Sequence, residues 1–390
     1  MRIAYILPSL QNPSGWRTLS IALIRHIQSS IEPVIITPQE YKKQAHQEFS
    51  GLPIFTLPTT QQYSLANQRG ISLLLKNRRA INHGLNLPPI DMVHSLEAYP
   101  TGLVGVWLAK ALGVPHVFTS HGTYSVIWNN SRRGLAILDR WGYLWVLRNT
   151  RAIFPVSDGT ANMIRRYYPA PSSHIEMRTI LPGNEFYQRI PRQQAMEREF
   201  NGPPTLLSVG DLKPRKGQHI SLAAFARVQS QLPEARYWIV GSYSPDQPYF
   251  QQMQQFISEN HLIGAQFLGA VSDKELSRCY REATIFVLTP QEEKLNFEGF
   301  GLVYLEAGAY GLPVVGTRTG GVPDAIRDGE TGILVEPGDV DGISAAILRL
   351  LTNPQELKRM GGANRTWSET LTWQRYADAH LQAYQEIITR

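Results

Sequence analysis

The chain has 390 residues, of which 43% are hydrophobic and 18% charged, which excludes a disordered chain and supplies two domains of about 100–200 residues with cores of their own. No apolar run reaches the ~18–20 residues of a membrane span, and the opening MRIAYILPSL reads as a strand rather than a signal peptide. The single cysteine, Cys279, excludes an intrachain disulfide and a multi-cysteine metal site and points to a reducing, cytoplasmic setting. The net charge of +6 is unevenly placed: residues 1–200 hold 21 Lys+Arg against 11 Asp+Glu, a balance of +10, and residues 201–390 hold 17 against 21, a balance of −4.

In chain order, the strand candidates of the first half are residues 2–7, 34–37, 54–57, 92–95, 116–120 and 152–156, with helical patterns such as 15–28 and 102–112 between them. The second half repeats the rhythm, with strands at 205–209, 236–240, 266–268, 285–288, 313–316 and 332–335, and helices at 218–230, 273–283 and 303–310. Strands alternating with helices predict two α/β, doubly wound parallel sheets. The expected division is a Rossmann-like domain over 1–183, a Pro/Gly-rich linker over 184–203, a second such domain over 204–368, and a C-terminal helix over 369–390 that packs back towards the first domain. The amphipathic pattern of that helix already begins at Trp367.

Ligands of open parallel sheets bind beyond the carboxyl ends of the strands, so the strand-end loops carry the candidates. Glu298-Gly299-Phe300-Gly301 leads into a helix that contains Glu306. Eight positions are just over two helical turns, so the two glutamates can share a face, and the free amides of Phe300 and Gly301 can meet a phosphate. Taken alone, the spacing also fits a capped helix with Glu306 on a solvated face. Gly210-Asp211-Leu212-Lys213-Pro214-Arg215-Lys216-Gly217 places three cations in one strand-to-helix loop, where they can clamp a pyrophosphate or form a solvated turn. Gly320-Gly321-Val322-Pro323 fits an anion cradle or a tight turn. His121 ends the 116–120 strand and can donate to a sugar hydroxyl or to developing charge. Ser14-Gly15 follows the first strand, where it can approach a phosphate.

Absent motifs narrow the chemistry. No GxGxxG supports a dinucleotide, no GxxxxGK[ST] a P-loop, and no GxSxG or HExxH a hydrolase. Asp339-Val340-Asp341 formally matches a metal-binding DxD, but its place in a turn entering a helix reads as capping.

The second half resembles the retaining glycosyltransferases of family four, which have the GT-B fold of two Rossmann-like domains facing across a cleft. The residues that carry the resemblance are Glu298-x7-Glu306, Lys216-Gly217, Gly311-Leu312-Pro313-Val314-Val315, Gly320-Gly321-Val322-Pro323, Asp328-Gly329-Glu330-Thr331-Gly332 and Pro337-Gly338-Asp339, over about residues 203–350. The family includes phosphatidylinositol mannosyltransferases and sucrose-phosphate synthases. The resemblance implies a UDP- or GDP-sugar donor and transfer of a hexose to a hydroxyl acceptor, a glycan or glycolipid of the cell envelope. It implies that the configuration is retained and that neither metal nor cofactor is needed beyond the donor; since no carboxylate is clearly placed in the sequence as a nucleophile, front-face departure and attack is the preferred reading.

By the same resemblance, Glu306 would hold the ribose hydroxyls and Glu298 the transferred sugar. The segment Gly299, Phe300, Gly301 and Leu302 would meet donor phosphate. Lys216, with Gly210 and Arg215 in the same loop, would neutralise the leaving pyrophosphate. His121 would bond the donor sugar, and Gly15 would admit the phosphates. The catalytic set is therefore His121, Lys216 and Glu298. Asp211 stands where the family usually has Arg, so Lys213 or Arg215 must take over its charge or Asp211 must point away. Competing readings are a sugar-nucleotide-binding GT-B protein without transfer activity and a nucleotide-sugar epimerase.

The basic first half carries Trp128, Arg132, Arg133, Trp141, Trp145 and Arg148, with Lys76, Arg78 and Arg79 as a second cluster. Such helices suit an anionic membrane surface, and so a peripheral place on its inner face, or a phosphate-bearing acceptor. No nucleic-acid-binding motif is present.

Overall fold

The computed structural model describes the chain except residues 8–9, 11–14, 59–67, 83–84, 123–135, 201 and 294–295. Two compact units result: Met1–Gly183 with Trp373–Arg390, and Asn184–Thr372.

The first unit contains seven strands: β1 (Arg2–Ile6), β2 (Glu32–Pro38), β3 (Ile54–Leu57), β4 (Met92–Ser95), β5 (His116–Ser120), β6 (Ala152–Pro155) and β7 (Glu176–Met177). All pair in parallel, in the order β3-β2-β1-β4-β5-β6-β7. Ile3, Ala4, Tyr5 and Ile6 of β1 are all fully buried. A central parallel strand is covered on both faces, which is why it reads as a continuous apolar run rather than an alternation. The two-residue edge strand β7 is too short to show such a pattern.

Residues 354–388 form two helices, Pro354–Thr370 in the second unit and Trp373–Ile388 in the first, not the single helix expected from Trp367. Asn184 makes the break. Its backbone N–H and side-chain amide donate to the Leu371 carbonyl, both at 2.8 Å, and the amide also donates to Ser368 O at 2.8 Å. Carbonyls left open at the helix end are satisfied by a distant residue. Beyond the break, Trp373, Tyr376, Ala377, His380, Ala383, Tyr384 and Ile387 form one buried stripe at helical spacing. Tyr384 Oη lies 2.6 Å from His94 Nδ1 and accepts from Tyr5 Oη at 3.2 Å.

His94, His116 and His380 are thereby buried in the first unit. Burial pushes His116 down to about 3 and His380 to about 4, and burial with the neighbouring histidines holds His94 well below its ordinary value. In the unfolded chain each titrates near ~6.5. A base whose folded pKa is depressed leaves stability intact above the unfolded value and costs stability as pH falls from there toward the folded value. The loss is about 1.4 kcal/mol per pH unit for each histidine. Hydrogen exchange of β1, β4 and β5 is therefore expected to accelerate steeply between about pH 6.5 and about pH 4.5, and more gently in His94→Gln. Equal protection at both ends of that range would refute this account.

The second unit contains β8 (Thr205–Val209), β9 (Arg236–Val240), β10 (Ala265–Gly269), β11 (Ile285–Val287), β12 (Val314–Thr317) and β13 (Gly332–Val335). These are parallel in the order β10-β9-β8-β11-β12-β13. Residues 184–203, expected as a linker, are built into this unit instead. Arg198 is mostly buried and donates to the carbonyls of Tyr280, Tyr310, Arg281 and Ala283. Arg365 donates to Tyr187 O at 2.9 Å, to Ile190 O at 3.2 Å and to Ala309 O. Five N–H donors on one planar group let a single arginine hold an irregular segment in place.

Among the described residues, no helix is long and apolar enough to cross a membrane, and no group of three or more His, Cys, Asp or Glu is placed to hold a metal ion. Asp339 caps a helix by accepting from Gly342 N at 2.8 Å.

Candidate functional site

In the second unit the loops after β8, β11 and β12 are stitched together, and glycines make this possible. Gly217 has φ +71°, and a Cβ there would lie 1.7 Å from Thr289 O. Thr289 Oγ1 donates to Gly217 O at 2.9 Å and lies 2.9 Å from Ser221 Oγ. Gln291 N donates to Arg215 O at 2.8 Å. Gly320 has φ +52°, and a Cβ there would lie 2.3 Å from Glu298 O, which accepts from Gly321 N at 2.8 Å. The Gly320-Gly321 pair is thus a close backbone contact for Glu298.

These loops bring Lys216, Arg215 and Glu298 together. Lys216 Nζ is 2.8 Å and Arg215 Nη1 2.9 Å from Glu298 Oε2. The Glu298 and Lys216 side chains are only 12% and 13% exposed. Burial would push the Glu298 carboxyl up, but the two cations overcome it and hold the group below its usual range. Asp211 points away, with an exposed side chain 3.0 Å from Lys213 Nζ. The unfavourable carboxylate therefore lies off the cluster and carries its own counter-ion. Gly210 (φ +150°) lies beside the Lys216 stem: a Cβ there would be 3.7 Å from Lys216 Cε.

Glu298 and Glu306 do not share a helix. The helix spans Leu302–Ala309, and Gly301 at its N-cap has φ +94°, which stops helical geometry from reaching back to Glu298. Phe300 is buried, and a Cβ on Gly301 would sit 2.7 Å from the Tyr304 ring. Glu306 is also buried rather than solvated. Arg189 Nη1 donates to its Oε1 at 2.9 Å, and Tyr280 Oη donates to its Oε2 at 3.1 Å. Burial raises its carboxyl above the ordinary value, although Arg189 and Tyr280 oppose this. The spacing reading missed both partners. Arg189 stands 117 positions away, in the segment read as linker, and Tyr280 is one aromatic of an ordinary amphipathic helix.

In the first unit, His121 Nε2 lies 3.0 Å from Leu96 O. A carbonyl only accepts, so Nε2 carries the hydrogen. Nδ1 is a buried lone pair with no partner among the described residues. Burial lowers the ring's pKa to about 4, so it is neutral near pH 7. As placed, His121 offers an acceptor, whereas the sequence reading made it a donor. Gly15 opens the helix Gly15–Ile27 with free space where a Cβ would stand. Among the described residues of this unit nothing demands glycine there, and Ser14 lies outside them.

Trp145 packs on Trp107, with ring centroids 6.0 Å apart, and lies under Lys110 Nζ at 5.2 Å. Trp141, in contrast, is 62% exposed. Lys76, Arg78, Arg79, Arg140 and Arg148 are exposed too. Trp128, Arg132 and Arg133 lie outside the described residues.

Two parallel Rossmann-like sheets, the second carrying a buried cation–carboxylate cluster at its strand ends, are the architecture of the GT-B class. Residues 14–177 match Glycosyltransferase Family 4 and residues 190–367 match Glycosyl transferases group 1. The chain belongs to this family. It is 30% identical over 293 residues to the GDP-mannose-dependent alpha-(1-6)-phosphatidylinositol monomannoside mannosyltransferase of Mycolicibacterium smegmatis, covering 72% of each chain. To the sulfoquinovosyl transferase of Arabidopsis thaliana it is 26% identical, covering 92% of this chain and 68% of that one. Its fold matches sucrose-phosphate synthase of Thermosynechococcus elongatus, with a TM-score of 0.72 at 22% identity over 100% of this chain and 99% of that one.

Proposed function

We propose that the protein is a retaining, metal-independent hexosyltransferase that uses a UDP- or GDP-sugar and a hydroxyl acceptor of a cell-envelope glycan or glycolipid. The observation that carries this reading is the Lys216–Arg215–Glu298 cluster. In the free protein each charge is held by its opposite. With donor bound, Glu298 would accept hydrogen bonds from hydroxyls of the transferred sugar, and Lys216 and Arg215 would turn to the diphosphate. Charge that develops on the leaving oxygen then meets a cation that is already in place and mostly desolvated. Glu306 would accept from the ribose hydroxyls. His121 Nδ1 would accept from a hydroxyl of the sugar. The amides of Gly299 to Leu302 would lie against phosphate at the helix start. Among the described residues no carboxylate is set up as a nucleophile, which favours front-face attack, with the acceptor proton passing to the leaving phosphate.

The test is a thermal-shift screen of nucleoside diphosphates and nucleotide sugars, followed by transfer assays with the hit. NMR should show an unchanged anomeric configuration, and activity should survive a chelator. Saturable binding without donor consumption would instead identify a binding protein, and isomerised donor an epimerase.

The basic, tryptophan-bearing helices of the first unit support a cytoplasmic protein peripheral to the inner face of the membrane. Binding to phosphatidylglycerol vesicles is expected at low salt. It should weaken several-fold as the Debye length falls from about 30 Å at 0.01 M to about 8 Å at 0.15 M ionic strength. No sedimentation with vesicles at low salt would reject this placement.

A further inference from the structure

We propose that Arg189 is a positioning residue for Glu306, opposing protonation of its carboxylate and turning it so that its remaining lone pairs take the ribose hydroxyls of the donor. The inference rests on the donor-site reading above. Arg189 and Tyr280 place one donor on each carboxylate oxygen, at 2.9 and 3.1 Å. A carboxylate offers about four lone-pair sites, so each oxygen keeps one for a ligand. The pair also fixes the plane of the group.

Burial makes the cation matter. The Glu306 side chain is 8% exposed, and a carboxylate so far from water takes up a proton unless a positive charge stands beside it. The turn Phe186–Arg189 supplies Arg189, and the helix Asp273–Glu282 supplies the Tyr280 hydroxyl and the opposing charge of Asp273. Arg365, on the helix Pro354–Thr370, is directed instead at the carbonyls of Tyr187, Ile190 and Ala309 and at Glu369.

Those Arg365 contacts are what make Arg189 a built feature rather than a surface cation. The side chain is 40% exposed, and a solvent-exposed ion pair on a free backbone contributes little. Here the carbonyls of Tyr187 and Ile190, on either side of Arg189, are held by one guanidinium. The Arg189 guanidinium also lies 5.0 Å over the Phe186 ring. Backbone and side chain are both directed at Glu306.

The experiment measures donor KM and kcat for the full chain, for R189M and for R189K, from about pH 8 to about pH 5.5, with E306A as a control. Removing Arg189 leaves burial and Asp273 unopposed by a cation, so Glu306 protonates at higher pH than in the unaltered protein. R189M is expected to raise donor KM about tenfold near neutral pH, with kcat within about threefold. The gap should widen as pH falls, and R189K should restore most of the profile of the unaltered protein. Unchanged KM in R189M, or a rise by the same factor at every pH, would overturn the proposal. If E306A loses donor affinity while R189M does not, Arg189 alone is rejected. If E306A keeps donor affinity, the donor-site reading itself fails.

Discussion

Replacing Lys216 by alanine is expected to lower kcat about a hundredfold to a thousandfold, the usual cost of removing one preorganised group that faces developing charge. The ammonium is 2.8 Å from Glu298 and only 13% exposed, so it acts in a desolvated place where its field is little screened. The loss has two parts. On the proposed reading the leaving diphosphate would lose a counter-charge, and Glu298 would keep only Arg215, so burial would raise its carboxyl and weaken its hold on the sugar. Arg215→Ala should cost less, because that side chain is twice as exposed, at 26%, and sits farther into solvent. Lys216→Arg keeps the charge but replaces a compact ammonium by a planar fork, so partial activity is expected. Steady-state kinetics, with circular dichroism as a check on folding, decide the matter. A folded Lys216→Ala enzyme with kcat within about threefold would remove Lys216 from the catalytic set.

Much of the fold was legible because buried parallel strands announce themselves. β3, β4, β5, β8, β9 and β13 have the expected bounds to the residue, each a short apolar or β-branched run between turn residues. The features that were not legible were set by partners far away in sequence. The amphipathic pattern runs on through Leu371 and Thr372, and the break there is imposed by Asn184, 187 positions upstream. Proline and glycine in residues 184–203 report a lack of regular local structure, not a lack of packing, which Arg198 and Arg365 supply. The Glu298–Glu306 spacing is a helical number, yet the positive φ of Gly301 separates the two residues into a loop and a helix. The His121 tautomer depends on the Leu96 carbonyl, 25 positions earlier. Residue types at the candidate site were therefore readable, and their charge states and hydrogen-bond directions were not.

Gly217→Ala is expected to cost about 4 kcal/mol or more of stability in the second unit and to lower kcat in whatever protein still folds. Two effects combine. At φ +71° any Cβ adds about 1–2 kcal/mol of backbone strain. The new methyl would also stand 1.7 Å from Thr289 O, 2.6 Å from its carbonyl carbon and 2.9 Å from Oγ1. None of these is the end of a flexible side chain, so the loop after β11 must move. That motion breaks the Thr289–Gly217 and Thr289–Ser221 hydrogen bonds, which align the β8 and β11 loops. Since Lys216 is the preceding residue, its ammonium leaves Glu298 as well. Gly329→Ala separates the two effects: its φ is +74°, but a Cβ there meets nothing within 4 Å among the described residues. It should therefore cost only about 1 kcal/mol and spare activity. Urea denaturation of both variants reads the difference directly. Equal losses at the two positions would mean that the backbone angle alone requires glycine beside Lys216. A much larger loss at Gly217 would show that the close approach to Thr289 holds the Lys216 loop in place.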